Sequence, residues 1–315
     1  MSLFLGLPQW SHPAWPGHLL GVCAKPAEHL AHYARVFNTV EGNTTFYALP
    51  KLEIVQRWRD MTGDDFRFCF KFPATISHQA ALRHCDELSS EFFARLAPLA
   101  SRIGQYWLQL PATFGPRDLP ALWHFLDGLP KDFTYGVEVR HPEFFAKGEE
   151  EQTLNRGLHQ RGVNRVILDS RPVHAARPHS EAIRDAQRKK PKVPVHAVLT
   201  ATNPLIRFIG SDDMTQNREL FQVWLQKLAQ WHQTTTPYLF LHTPDIAQAN
   251  GRAERGSQYP KTGRKTVALR GGVGHDGEPC LRGKEQGACC PLRQTRIRQN
   301  SRDSNPCRPV FAVPP

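Results

Sequence analysis

Glu138, Arg140 and His141 place a carboxylate, a guanidinium and an imidazole side by side in the stretch Glu138-Val139-Arg140-His141. In an extended chain residues two apart share a face, so Glu138 and Arg140 point together and His141 points opposite or opens the next loop. Glu138 can act as general acid or base. The imidazole of His141 is of the type that titrates near neutrality. Arg140 can hold a carboxylate or phosphate through two parallel bonds. The plain alternative is a Glu138–Arg140 ion pair that closes a strand end.

Lys71 sits among Phe68, Phe70 and Phe72. A desolvated lysine can lose its proton and serve as base or Schiff-base amine, or it can pair with Glu41 or Glu138. Glu41 and Asn43 share a face and can orient a polar ligand. Gln109 offers a donor and an acceptor without charge. Asp169 stands beside Arg171, Arg207 lies inside an apolar run, and His242 ends another. The expected catalytic groups are Glu138, Lys71 and His141. The expected substrate contacts are Glu41, Asn43, Tyr47, Gln109, Arg140, Asp169, His242 and Trp10. Glu41, Glu138, Asp169 and His242 would make an oxygen-rich metal site with one nitrogen. No H-x-H, H-E-x-x-H or C-x-x-C spacing supports it, so no metal is assigned and no cofactor can be named.

Most of these residues stand where an apolar run ends. Eight such runs cover residues 3–7, 39–41, 66–71, 106–110, 135–139, 165–169, 205–209 and 238–242. Helical spacing separates them. It predicts helices over 26–37, 52–61, 86–97 (Leu88, Phe92 and Leu96 inward), from Asp118 onward, 150–160 and 217–232 (Leu220, Val223, Trp224 and Leu228 inward). Strand–helix alternation implies a parallel sheet. Eight units imply an α/β fold of the TIM type, a closed (β/α)8 barrel whose C-terminal strand ends gather at one mouth. No G-x-G-x-x-G follows the first strand, which argues against a dinucleotide fold. Residues 170–195 read as a long loop with a short helix near 180–188, of the length used for lids and binding loops.

The 315 residues carry a net charge of +11, unevenly spread. Residues 250–315 hold 13 of the 40 Lys and Arg and 5 of the 29 Asp and Glu. The rest holds 27 and 24, so the body is near neutral and overall charge is no argument for nucleic-acid binding there. Two parts are expected: a barrel over 1–249 without a normal last helix, and a basic Gly/Arg-rich tail over 250–315. The tail is too poor in apolar runs to offset its ordering entropy. It is expected to be disordered, or to be an out-of-frame product. No run of about 18 apolar residues exists, so no membrane span is expected. No secretory signal is visible and the cysteines lack a disulfide or zinc pattern, so a cytoplasmic protein is expected.

Five motifs occur in order: Glu41-x-Asn43-x-Thr45-Phe46-Tyr47, Phe68-x-x-Lys71-x-Pro73 with Ser77-His78, Gln109-Leu110-Pro111, Glu138-x-Arg140-His141-Pro142, and Asp169. With them residues 3–249 resemble the YecE-like family, domain-of-unknown-function family seventy-two. The resemblance implies a TIM barrel with a site at these strand ends, and it implies no activity. Pro8-Gln9 and His242 depart from the small Ser-Gly pair and the Asn that many members carry. The leading expectation is an enzyme using acid–base chemistry on a small polar or anionic substrate. Two alternatives stand beside it. One is a nucleic-acid-binding protein using residues 184–192 with Trp10, Phe46 and Tyr47, or a metal-dependent phosphodiesterase or isomerase acting at Glu41, Glu138, Asp169 and His242. The other is a ligand sensor without turnover.

Overall fold

Apolar runs bounded by turn residues form the strands β1 Phe4–Gly6, β2 Thr39–Gly42, β3 Arg67–Lys71, β4 Ile103–Gln109, β5 Tyr135–Glu138, β6 Asn164–Arg165, β7 Ile167–Asp169, β8 Leu205–Ile209 and β9 Tyr238–His242. Between them run α1 His29–Tyr33, α2 Thr44–Tyr47, α3 Leu52–Asp60, α4 Asp86–Leu96, α5 Leu119–Gly128, α6 Glu149–Gln160, α7 Arg171–Ala175, α8 Glu181–Lys189 and α9 Met214–Trp231. These elements come from a computed structural model that describes residues 2–21 and 23–244. The expected tail from Asn250 lies outside the described residues.

The strands pair in parallel throughout, in two sheets ordered β1-β9-β8-β7 and β2-β3-β4-β5-β6. One chain stretch passes from sheet to sheet. β6 pairs with β5, the ladder breaks at Val166, and β7 pairs with β8. At the other seam no ladder joins β1 to β2. Glu41 N donates to Leu7 O at 3.0 Å. The Tyr33 hydroxyl donates to Thr39 O at 2.9 Å and accepts from Leu7 N at 2.7 Å. Asn38 accepts from Leu5 N and donates to Leu3 O. The approach requires glycine: a Cβ on Gly6 would stand 2.2 Å from Thr39 O. Of the expected eight-stranded barrel, the α/β fold of parallel strands is observed, while the strands hydrogen-bond as two sheets rather than one closed ladder.

β5, β8 and β9 are buried at every position, as parallel strands covered on both faces must be. Successive side chains alternate between two apolar layers. Phe68, Phe70, Val137, Ile206 and Leu239 join the large core under the helices. Cys69, Trp107, Val166, Leu205, Tyr238 and Phe240 form a separate cluster drawn from both sheets.

Several local expectations shift. Residues 26–37 give a 3-10 turn at Pro26–Glu28 and then only the short α1, after which Arg35 N and Val36 N tighten onto His32 O and Tyr33 O three residues back. Residues 170–195 hold two helices, α7 and α8, rather than one. The buried stripe of α9 is Asn217, Phe221, Trp224, Leu228 and Trp231, which leaves Val223 47% exposed. Leu88 likewise faces outward at 36%. Among the described residues no helix is long and apolar enough to cross a membrane.

Candidate functional site

Strand parity decides which charged residues meet. Trp107 and Gln109 on β4, Cys69 and Lys71 on β3, Leu205 and Arg207 on β8, and Phe240 and His242 on β9 each share a face by their spacing of two. In every pair the apolar member belongs to the inner cluster, so the polar member lies above it at the C-terminal strand end. Glu41 on β2 and Glu138 on β5 join them.

Arg207 organises the group. Its Nε and Nη2 donate to Glu41 Oε2 and Oε1, both at 2.9 Å, and its Nη1 donates to Glu138 Oε2 at 2.5 Å. Its guanidinium lies 4.8 Å from the Trp107 ring centre. Arg140 takes the other oxygen of Glu138 through Nε and Nη2, at 2.9 and 2.8 Å. Asn43 donates to Glu41 Oε1 at 2.8 Å and His242 Nε2 meets Glu41 Oε2 at 2.9 Å. Lys71 Nζ donates to Gln109 Oε1 at 2.8 Å and rests 3.6 Å from the Phe46 ring centre. Glu41 and Glu138 are fully buried, and Arg207 and Lys71 nearly so.

Burial alone would raise both carboxyls. For Glu41, Arg207 and His242 outweigh it and hold the group well below the usual carboxylate range. For Glu138, Arg207, Arg140 and Lys71 outweigh it and bring the group down to about 2. Burial, with Arg207 adding to it, lowers Lys71 to about 7. Burial also lowers His242 to about 4, so its imidazole is neutral at ordinary pH. Of the expected catalytic groups, Glu138 is thus held as a carboxylate well below neutrality, whereas the Lys71 amine is brought close to it.

Other expected residues fall elsewhere. Asp169 has the opposite parity to Val166 of the inner cluster. It accepts from Arg171 Nε and Nη2 and from Trp224 Nε1 at 2.7 Å, tying β7 to α7 and α9. His141 accepts from Glu143 N and caps the turn Pro142–Phe145. Trp10 packs edge-on against Trp58 and Phe68 in the helix-side core. Tyr47 is 83% exposed, beside Phe46. Among the described residues no three His, Cys, Asp or Glu side chains come together as metal ligands. The basic residues Arg184, Arg188 and Lys189 of α8 are ion-paired with Glu181 and Asp185.

Three residues near the site were not among the expected catalytic groups or substrate contacts. Arg207 carried one usable signal, a lone charge inside a buried strand that must find a partner. His78 sits on a single π-helical turn, Thr75–Gln79, 5.2 Å from Phe46, and burial, Lys71 and Arg140 lower its pKa. Such turns are frequent at functional sites. Lys190 was read only as part of the basic segment 184–192, closing the run Arg188-Lys189-Lys190. Its backbone is strapped onto the end of β7: Ser170 Oγ donates to Pro191 O at 2.8 Å and His174 Nε2 meets Lys190 O at 3.0 Å. Burial and the Arg207 charge lower its amine to about 8, with Glu41, Glu138 and Arg140 also acting on it. Beside it a cavity of about 570 Å³ is lined by Ser170, Arg171, His174 and Lys192, among others.

Comparison with known proteins agrees with this architecture. The family described as "Protein of unknown function DUF72" matches residues 4–269, a span that passes the boundary expected at Asn250. The UPF0759 protein YecE of Escherichia coli K12 is 83% identical over 247 residues, covering 78% of this chain and 88% of that protein. The protein of the same description from Escherichia coli O157:H7 matches equally. A DUF72 family protein from Thermotoga maritima MSB8 has a crystal structure with a TM-score of 0.62 at 20% identity, over 82% of this chain and 98% of that one. One from Enterococcus faecalis V583 gives 0.60 at 18%, over 82% and 96%.

Proposed function

The chain belongs to the DUF72 family of proteins of unknown function, and from that premise we propose that its C-terminal strand ends form an enzymatic site for acid–base chemistry on a small anionic molecule. In this reading the two sheets work as one TIM-type ring, closed through the Arg207 bridge and the β1–β2 seam. Lys71 is the acid–base group. Glu41, Glu138 and Arg207 are the frame, with Asn43 and His242 steadying Glu41. Arg140, Gln109 and His78 face the ligand.

One observation carries the proposal. The charges of Glu41, Glu138, Arg207 and Arg140 cancel, and among the described residues the partners of the buried Lys71 amine are a neutral amide and the rings of Phe46 and Trp107. Burying an amine without a counter-ion is costly, and a charge-bearing ligand removes that cost. A pKa of about 7 suits proton transfer at neutral pH. The ion-paired α8 and the inward-packed Trp10 offer little to nucleic acid, so a small molecule is the better fit. The thiols of Cys23, Cys69 and Cys85 are free, in keeping with a reducing cytoplasm.

The test is proton exchange in D2O, followed by NMR, across a panel of small carboxylates and phosphate esters that carry a C–H next to a carbonyl. Exchange with the wild type and none with Lys71→Met supports the proposal. Exchange that survives in Lys71→Met refutes the role of Lys71. A panel that neither exchanges nor binds refutes the site.

A further inference from the structure

The charge balance at the strand ends goes further than a preference for anions. We infer that the ligand carries a phosphoryl dianion, held between Lys71 on β3 and Lys190 on the strap that follows α8. This rests on the anion-site reading and names the ligand's charged group.

Two features lead to it. The first is the count of charges without partners. Glu41 and Glu138 are matched by Arg207 and Arg140, and His242 is neutral. Two amines remain. Lys71 Nζ has Gln109 Oε1 and no carboxylate. Among the described residues Lys190 Nζ has no hydrogen bond or ion pair. A monoanion would compensate one amine and leave the other as an unmatched charge beside the cluster; a dianion compensates both.

The second feature is which donors are left. Planar carboxylates are best recognised by the guanidinium fork. Here Arg207 uses Nε, Nη1 and Nη2 on Glu41 and Glu138, and Arg140 uses Nε and Nη2 on Glu138. The cations without a carboxylate partner are ammonium groups, point charges that suit a tetrahedral phosphate approached from two sides. The strap itself is well placed. Ser170 follows Asp169, which is in register with Phe208 beside Arg207, so the Ser170–Pro191 bond brings residue 190 to the end of β7, the strand next to β8. The same strap walls the 570 Å³ cavity, whose lining includes Arg171, His174 and Lys192 and no carboxylate. That cavity would take the uncharged remainder of a phosphate ester.

The experiment is calorimetric titration of the full chain with inorganic phosphate, methylphosphonate, malonate and acetate, near neutral pH and at fixed ionic strength. Four proteins are compared: wild type, Lys190→Met, Lys190→Arg and Lys189→Met. Lys189 is the exposed neighbour paired with Asp185, and its variant should match the wild type. Phosphate and methylphosphonate should bind best. Lys190→Met should weaken them roughly tenfold, the usual cost of one charged hydrogen bond, and Lys190→Arg should recover most of it. If phosphate and acetate bind alike and Lys190→Met changes neither, the dianion is refuted while the anion site stands. If malonate binds as well as phosphate, the phosphoryl assignment falls to a dicarboxylate. If no anion binds the wild type, both readings fall.

Discussion

Arg207 on β8 and Glu41 on β2 are 166 positions apart in the chain, sit in different sheets, and meet through two parallel hydrogen bonds of 2.9 Å. With the bond to Glu138 on β5, one guanidinium grips the second sheet at two places. Arg207→Met leaves two buried carboxylates without their main partner. Breaking a buried pair typically costs about 3–5 kcal/mol, and denaturant unfolding should show a loss of that size. Arg207→Lys should recover only part of it, because an ammonium cannot reproduce the fork.

Glu138 makes acid resistance measurable. Its folded-state pKa of about 2 lies below the ordinary 4.5. The unfolded chain therefore takes up its proton first as pH falls. The stabilisation is full above pH 4.5 and drains away between 4.5 and 2. Glu138→Gln should be less stable at neutral pH and lose stability less steeply over that window. A variant with the wild-type slope would contradict the assignment.

Lys71 acts in the other direction. Its amine titrates at about 7 in the folded chain against an ordinary 10.5. Between those values the unfolded chain holds the extra proton, so stability rises with pH. Lys71→Met should flatten much of that rise, leaving the share of Lys190, and should be at least as stable as the wild type near neutrality. Buffer-matched unfolding from pH 7 to 10 reads this directly.

Asp169 should behave as a structural latch. Asp169→Asn weakens the bonds to Arg171 and Trp224, at a cost of roughly 1–3 kcal/mol. A changed Trp224 fluorescence should accompany it, with anion affinity unchanged. A loss of anion binding at constant stability would return Asp169 to the site.

Gly6→Ala tests the seam. The added methyl would meet Thr39 O at 2.2 Å, and overpacking of this kind costs typically about 1–3 kcal/mol. An unperturbed melting temperature would mean that β1 and β2 are not held as described.

Much of this was legible from sequence. The limits of β8 and β9 match the apolar runs 205–209 and 238–242, because a fully buried parallel strand writes itself as an unbroken apolar run. Glu41, Lys71, Gln109, Glu138 and His242 stood out because each closes such a run. Asp169 closes one too, yet it faces α9. Its strand is apolar on both faces, so the sequence offers no parity to choose between Val166 and Ile167 as the inward residue. Arg207 and Lys190 required knowledge of what distant strands bring to them, which local pattern does not contain. His141 opens the next loop, one of the two placements its step from Arg140 allowed.

The shared guanidinium has a consequence for genetics. A substitution at Arg207, Glu41 or Glu138 reaches the cell first as scarcity, because a few kcal/mol of lost stability raises the unfolded fraction that proteases remove. A null phenotype from such an allele would then report how much protein survives, and complementation at matched abundance is what separates a missing catalyst from a silent one.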